Sequence, residues 1–89
     1  MKRILIVEDE PVIALGLRDS LEAEGYAVEG STEGVEAETR AREGGFDLIL
    51  LDVMLPGRDG FSICRNLRAS GCPTPVILLT AKGQEADRI

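Results

Sequence analysis

Three short, uninterrupted apolar runs restrict the fold of this chain more than any other feature of its sequence. Each run holds four residues without a polar residue among them, and the runs occupy positions 4–7, 48–51 and 76–79. Runs without polar alternation are typical of strands that are buried on both faces, as in a parallel sheet. A more mixed run at 26–29, which includes Glu29, is typical of a strand at the edge of a sheet.

Helical patterns fill the intervals between these runs. They occupy positions 11–25, 32–44 and 59–70. Apolar residues recur every four positions in the first interval and every three in the last, so that they share one helix face, whereas the middle interval has a narrow apolar stripe. Strands and helices therefore alternate, which predicts an α/β domain with right-handed crossovers and helices on both faces of the sheet. The last residues, 84–89, are predicted to begin a fourth helix.

Composition excludes several classes of function. The chain has 89 residues, which is enough for one small domain. Its ten basic and sixteen acidic residues give a net charge of −6, which argues against direct binding to nucleic acid or to a membrane surface. No histidine is present, which excludes Ser-His-Asp and Cys-His catalysis. The first apolar run is too short for a signal peptide or a membrane helix, so we expect a cytoplasmic protein with both cysteines reduced.

Acidic residues follow two of the predicted buried strands. Glu8, Asp9 and Glu10 come after the first run, and Asp52 comes after the run at 48–51. In parallel α/β sheets the functional site lies at the carboxyl ends of the strands, so Glu8, Asp9 and Asp52 converge if their strands are neighbours. Clustered carboxylates repel one another and suit a hard divalent cation such as Mg²⁺. Glu10 is interpreted as an exposed surface residue, whereas Asp52, which is flanked by apolar residues, is predicted to be functional.

Three segments at the ends of these strands resemble the receiver domain of bacterial two-component response regulators. They read ILIVEDEP at 4–11, LDVMLPGRDG at 51–60 and LLTAK at 78–82. The segments occur in the order typical of that family, and the similarity extends from the first strand to the last residue. The resemblance implies a flavodoxin-like, doubly wound parallel sheet with the strand order 2-1-3-4.

The resemblance also implies a role for each acidic residue. Asp52 would be the phospho-acceptor, which takes a phosphoryl group from a phosphohistidine on a sensor histidine kinase or a phosphotransfer protein. Asp9 and Asp52 would bind Mg²⁺ directly together with the backbone carbonyl of Met54, and Glu8 would act through a water molecule. The metal ion would offset negative charge during the transfer. Under this interpretation the domain is a regulatory phospho-acceptor and not an enzyme that acts on an external substrate.

Two residues after the strand at 76–79 complete the implied site. Thr80 would be the switch hydroxyl that turns towards the phosphoryl group, and Ala81 would provide a small side chain beside it. Receiver domains also carry a phosphate-binding lysine in a Lys-Pro pair at the end of a fifth strand, but this sequence contains no Lys-Pro pair. Lys82 matches a variable loop position of the family and is not assigned to the site.

The length of the chain departs from the family pattern. Residues 1–89 would form about three quarters of a receiver domain, from the first strand to the start of a fourth helix, without the usual fifth strand and last helices. We therefore expect a truncated piece of a longer regulator in which the edge of the strand at 76–79 and one sheet face are exposed. We expect self-association through that edge or that face. The patterns LTAKG and DRI resemble regulators with a winged-helix DNA-binding domain, which implies a parent protein that regulates transcription.

Three other interpretations of the acidic site belong to different classes. A truncated or degenerate receiver would bind partner proteins without phosphotransfer, which the missing lysine favours and the intact acidic site disfavours. An aspartate-nucleophile phosphatase would carry a second aspartate two residues after Asp52, where this chain has Met54. A dinucleotide-binding unit would carry a Gly-x-Gly-x-x-Gly motif after the first strand, where this chain has acidic residues.

Overall fold

A computed structural model describes residues 1–79 in full and the backbone of Glu85–Arg88. Within this part of the chain the elements are β1 (Arg3–Val7), α1 (Pro11–Ala23), β2 (Ala27–Ser31), α2 (Gly34–Glu43), β3 (Leu48–Asp52), α3 (Gly60–Ala69), β4 (Val76–Leu79) and β5 (Glu85–Arg88). The alternation of strands and helices up to β4 confirms the predicted α/β class. None of the helices among the described residues is both long enough and apolar enough to cross a membrane.

The sheet places β1 between β2 and β3, with all three strands parallel. The complete strand order is β2-β1-β3-β4-β5, and β4 is also parallel to β3. The first four strands therefore confirm the predicted order 2-1-3-4. In this register Val7, the last residue of β1, lies opposite Ser31 of β2 and opposite Leu51 of β3. The chain therefore leaves β1 and β3 at the same edge of the sheet.

The segment after β4 differs from the prediction. The backbone of Glu85–Arg88 forms the strand β5, antiparallel to β4, so the predicted helix start at 84–89 is wrong for these residues. The predicted exposure of the β4 edge is wrong for the same reason, since Ile77, Leu78 and Leu79 have partners on β5. An open strand edge presents unpaired N–H and C=O groups, and a short segment that pairs with this edge satisfies them without having to nucleate a new helix.

Two hydrophobic clusters cover the two faces of the sheet, and they differ in size. The larger cluster lies on the side of α2 and α3, and its buried members are Leu5, Val7, Ala37, Ala41, Phe46, Ile49, Leu51, Ile63, Cys64, Leu67, Val76 and Leu78. The smaller cluster lies on the side of α1, and its buried members are Ile4, Ile6 and Leu50. No residue of α1 is fully buried, and the helix packs on this cluster through Leu17 and Leu21. The side of α2 and α3 therefore contributes most of the buried apolar surface.

Side-chain caps determine where α1 and α3 begin. The Glu10 carboxylate accepts a hydrogen bond from the Val12 amide at 3.3 Å, and Pro11 occupies the first helical turn. The Asp59 carboxylate accepts a hydrogen bond from the Ser62 amide at 2.9 Å. Such bonds satisfy amides that have no partner within the helix. Glu10, interpreted from the sequence as a surface residue, is exposed and also caps α1.

We expect Leu67→Ala to lower the free energy of unfolding by about 3 kcal/mol, because Leu67 is 0% exposed and its truncation leaves a cavity in the larger cluster. Urea denaturation followed by circular dichroism measures this change. Leu15→Ala is the matched control, since Leu15 is 59% exposed on α1 and its truncation should cost about 0.5 kcal/mol or less. Equal losses for the two variants would contradict this description of the core.

Candidate functional site

Three carboxylates gather at the carboxyl edge of the sheet. Glu8 and Asp9 follow β1 directly, and Asp52 is the last residue of β3. Because Val7 lies opposite Leu51, the two strands deliver these acids to the same place. One carboxylate oxygen from each of Glu8, Asp9 and Asp52 lies within 4.8 Å of the other two. The structure thus brings together the three acidic residues whose convergence the sequence predicted.

Backbone hydrogen bonds continue the strand pairing past the ends of β1 and β3. The Glu8 amide donates to the Ser31 carbonyl at 3.0 Å. The Val53 amide donates to the Leu79 carbonyl at 2.9 Å. The acidic residues are therefore carried by backbone that is hydrogen-bonded to the neighbouring strands, which limits their movement relative to one another.

The three acids differ in exposure and in their hydrogen bonds. Glu8 and Asp52 are buried, whereas Asp9 is exposed, so the site opens to solvent at Asp9. The Glu8 carboxylate accepts a hydrogen bond from the Glu10 amide at 3.0 Å. Oδ1 of Asp52 accepts a hydrogen bond from the Met54 amide at 3.2 Å. These two amides orient the buried carboxylates.

The negative charges of the cluster oppose one another. Burial raises the pKa of the Glu8 carboxyl, the hydrogen bond from the Glu10 amide partly offsets this rise, and the charges of Asp52 and Asp9 raise the pKa further. A divalent cation between the carboxylates would remove this repulsion. Mg²⁺ takes oxygen ligands, needs few carboxylates and keeps several waters, which suits a set of three acids that is open on one side. The residues present therefore fit the predicted metal.

The loop between Asp52 and α3, called the 53–59 loop below, is folded closely against the end of β3. The Gly60 amide donates to the Val53 carbonyl at 2.8 Å. A Cβ atom at Gly60 would collide with the carbonyl oxygen of Asp52, so this position requires glycine. Gly60 allows α3 to begin directly against the residue that contributes the buried carboxylate.

A charged residue that the sequence pattern did not reveal, Glu38 of α2, supports this loop. Its carboxylate is 4% exposed and accepts hydrogen bonds at Oε1 from Arg58 at 2.7 Å and from Asn66 at 3.1 Å. Burial raises the pKa of Glu38, but these hydrogen bonds and the charges of Arg58 and Arg42 outweigh burial and lower the pKa below its ordinary value. The sequence did contain an indication that Glu38 is buried: position 38 lies on the same helix face as Ala41, which is apolar.

The remaining predicted site residues divide into two groups. Met54 lies in the 53–59 loop two positions after Asp52; the residue is 65% exposed, and its amide donates to the Asp52 carboxylate. Thr80 and Ala81 lie outside the described residues.

The fold and the acidic cluster can be compared with known protein families. A family model for the response regulator receiver domain matches residues 4–89. The chain belongs to the response regulator receiver domain family. The match confirms the family that the three strand-end motifs predicted.

Curated relatives of this receiver domain extend well beyond the region of similarity. The transcriptional regulatory protein ResD of Bacillus subtilis is 48% identical to this chain over 87 residues. The similarity covers 98% of this chain and 36% of ResD. The chain therefore spans less than half of the length of this relative.

Solved receiver structures share the fold. The response regulator TrrA of Thermotoga maritima, in complex with Mg²⁺ and BeF, has a TM-score of 0.85 and 40% identity, over 91% of this chain and 70% of that chain. TrrA in complex with the histidine kinase ThkA has a TM-score of 0.85 and 38% identity, over 94% of this chain and 72% of that chain. These similarities confirm the doubly wound receiver fold.

We expect Asp52→Asn to raise the free energy of unfolding by about 1 kcal/mol in the absence of divalent cations, because it removes one of three clustered charges. The amide oxygen of asparagine can still accept the hydrogen bond from Met54. Addition of Mg²⁺ should stabilise the unchanged chain and have little effect on the variant. Urea unfolding in EDTA and in Mg²⁺ measures both effects.

Asp19→Asn is the control for this comparison, since Asp19 is an exposed residue of α1 outside the cluster. It should change neither the stability in EDTA nor the response to Mg²⁺. A loss of stability for Asp52→Asn in EDTA would show that the three carboxylates do not repel one another. An equal response of both variants to Mg²⁺ would show that Asp52 does not take part in binding the ion.

Proposed function

We propose that this receiver domain accepts a phosphoryl group on Asp52 from a sensor histidine kinase or a phosphotransfer protein. The observation that carries the proposal is the cluster of Glu8, Asp9 and Asp52, with carboxylate oxygens within 4.8 Å of one another. The TrrA structures with Mg²⁺ and BeF and with the kinase ThkA support it, since TrrA has the same fold. The chain would act in the cytoplasm as a regulatory module and not as an enzyme with an external substrate.

The residues of the site would divide the binding of Mg²⁺ among them. Asp9 and Asp52 would bind the ion directly, together with the backbone carbonyl of Met54, and Glu8 would act through a water molecule. When bound, Mg²⁺ supplies positive charge that offsets the charge of the phosphoryl group during transfer. The Met54 amide, through its hydrogen bond to Oδ1, holds the Asp52 carboxylate in a fixed orientation for attack.

The proposed transfer exchanges one bond to phosphorus for another. A carboxylate oxygen of Asp52 attacks the phosphorus of a phosphohistidine, and the P–N bond breaks with its electron pair going to the donor imidazole. The product is an acyl phosphate on Asp52 and a histidine on the donor. The hydroxyl of Thr80 and the small side chain of Ala81 would accommodate the new phosphoryl group.

We further propose that the phosphorylated domain controls transcription, since ResD is named a transcriptional regulatory protein. The net charge of −6 argues against contact between this chain and DNA, so a different part of the regulator would bind it. The alternative is a receiver that binds partner proteins without phosphotransfer.

Incubation with acetyl phosphate and Mg²⁺, followed by intact mass spectrometry, tests the proposal. The unchanged chain should gain the mass of one phosphoryl group, and EDTA should prevent the gain because the acids then repel the phosphoryl group. Asp52→Asn should gain nothing, whereas Asp47→Asn, an exposed aspartate at the opposite end of β3, should react like the unchanged chain. Binding of Mg²⁺ without any gain of mass would favour the partner-only alternative.

We also propose that the chain self-associates through the sheet face that α1 covers in part. Leu48, Ile77 and Leu79 lie on this face and are only partly buried. The other route expected from the sequence, through the edge of β4, is closed by β5. Association would bury these apolar side chains and release the water that covers them.

Sedimentation velocity at tens of micromolar should therefore detect a dimer of the unchanged chain. Ile77→Lys should abolish the dimer, because it places a charge on the associating face. Leu15→Lys on the exposed side of α1 should leave the dimer intact. A compact monomer for the unchanged chain at that concentration would rule out self-association.

A further inference from the structure

Arg58, in the 53–59 loop, lies close to two carboxylates of the α2 region. Its Nη1 donates to Oε1 of Glu38 at 2.7 Å. The pKa of Glu33 is lowered by the two backbone amides that this residue caps and, in addition, by the charge of Arg58. Asn66 of α3 donates to the same Glu38 oxygen at 3.1 Å, and Arg42 approaches the other oxygen at 3.5 Å. One buried carboxylate, that of Glu38, therefore joins α2, α3 and the loop.

Backbone contacts seat the same part of the loop on the first turn of α2. The Gly34 amide donates to the Pro56 carbonyl at 3.1 Å. A Cβ atom at Gly34 would collide with the backbone of Arg58, so helix and loop approach as closely as glycine permits. Gly57, with a φ of 86°, turns the loop at this point and leaves room for the Glu33 carboxylate. Pro56 and Arg58 are thus held against α2, with Gly57 between them.

The beginning of the 53–59 loop enters the acidic cluster. The Met54 amide donates to Asp52, and the Val53 carbonyl accepts from Gly60 at 2.8 Å. Three residues separate Met54 from Arg58, and one of them is Pro56, whose ring fixes its φ and whose carbonyl is bonded to the Gly34 amide. The position of Arg58 on α2 therefore limits where the backbone of Met54 can lie.

We propose that Glu38 is a positioning residue for the metal site: by holding Arg58, it fixes the 53–59 loop so that the backbone of Met54 is placed for Mg²⁺ binding. The inference rests on the proposed function, since it gives Glu38 a task in binding the same ion. The buried carboxylate suits this task, because release of Arg58 would leave its charge with less compensation and is therefore unfavourable.

Titration of the whole chain with Mg²⁺, followed through the backbone amide resonances of Asp9 and Met54, tests the inference. Glu38→Gln and Arg58→Gln should each weaken Mg²⁺ binding roughly fivefold. The double substitution should weaken it no further, since both changes remove the same link. Arg42→Gln is the matched control, because it also removes a partner of Glu38, but one on α2 itself, and it should leave the affinity unchanged.

Hydrogen exchange at the Gly34 amide, measured without metal, gives a second readout because this amide donates to the loop at Pro56. Exchange there should be faster in Glu38→Gln and Arg58→Gln than in Arg42→Gln. Arg58 is only partly buried, so Arg58→Gln provides the result if Glu38→Gln does not fold.

The possible outcomes separate this inference from the proposed function. Unchanged Mg²⁺ affinity in folded Arg58→Gln would overturn the inference and leave the phospho-acceptor proposal intact. Equal weakening by Arg42→Gln would also overturn it, since a general loss of stability would then explain the effect. Failure of the unchanged chain to bind Mg²⁺ would overturn both.

Discussion

The parallel pairing of β1 with β3 is the interaction on which the rest of the molecule depends. Because Val7 lies opposite Leu51, the residues that follow these two positions leave the sheet side by side, and both are acids, Glu8 and Asp52. A shift of the register by one residue would turn the side chains of one strand to the opposite faces, which would both break the core and separate the two carboxylates. The pairing that buries the apolar runs therefore also assembles a cluster of like charges.

The two buried glutamates, Glu8 and Glu38, have pKa values that shift in opposite directions. Burial and the neighbouring acids raise the pKa of Glu8, so the charged form is disfavoured at the edge of the sheet. The pKa of Glu38 is lowered instead, because Arg58, Asn66 and Arg42 compensate its burial. The charge of Glu38, which holds the 53–59 loop, is thus compensated by neighbouring donors. The charge of Glu8 at the strand ends is opposed by other acids instead, so a cation from solution can bind there. Burial of apolar side chains in the larger hydrophobic cluster, on the side of α2 and α3, offsets the unfavourable free energy of placing these like charges close together.

The parts of the fold that could be predicted are those that depend on local pattern. The strands β1, β3 and β4 have a continuous apolar signature, and the acids that follow β1 and β3 converge for any sheet in which these two strands are neighbours. The segment Glu85–Arg88 is different, because its conformation depends on pairing with β4 and not on its own residues. Glu38 was missed for a related reason, since its burial depends on Arg58, which is 20 residues away in the sequence. A local pattern predicts an element, but partners across the fold determine where a charge can be buried.

The loose packing of α1 has a consequence for how the domain opens. With no fully buried residue, and with only the smaller cluster beneath Leu17 and Leu21, α1 is the helix that local unfolding would release at the lowest free energy. Its capping residue, Glu10, follows Asp9 directly in the sequence. An ion held by Asp9 and Asp52 would therefore restrain the start of the helix that packing anchors least. Occupancy of the acidic site would then set the order in which the helices detach from the sheet.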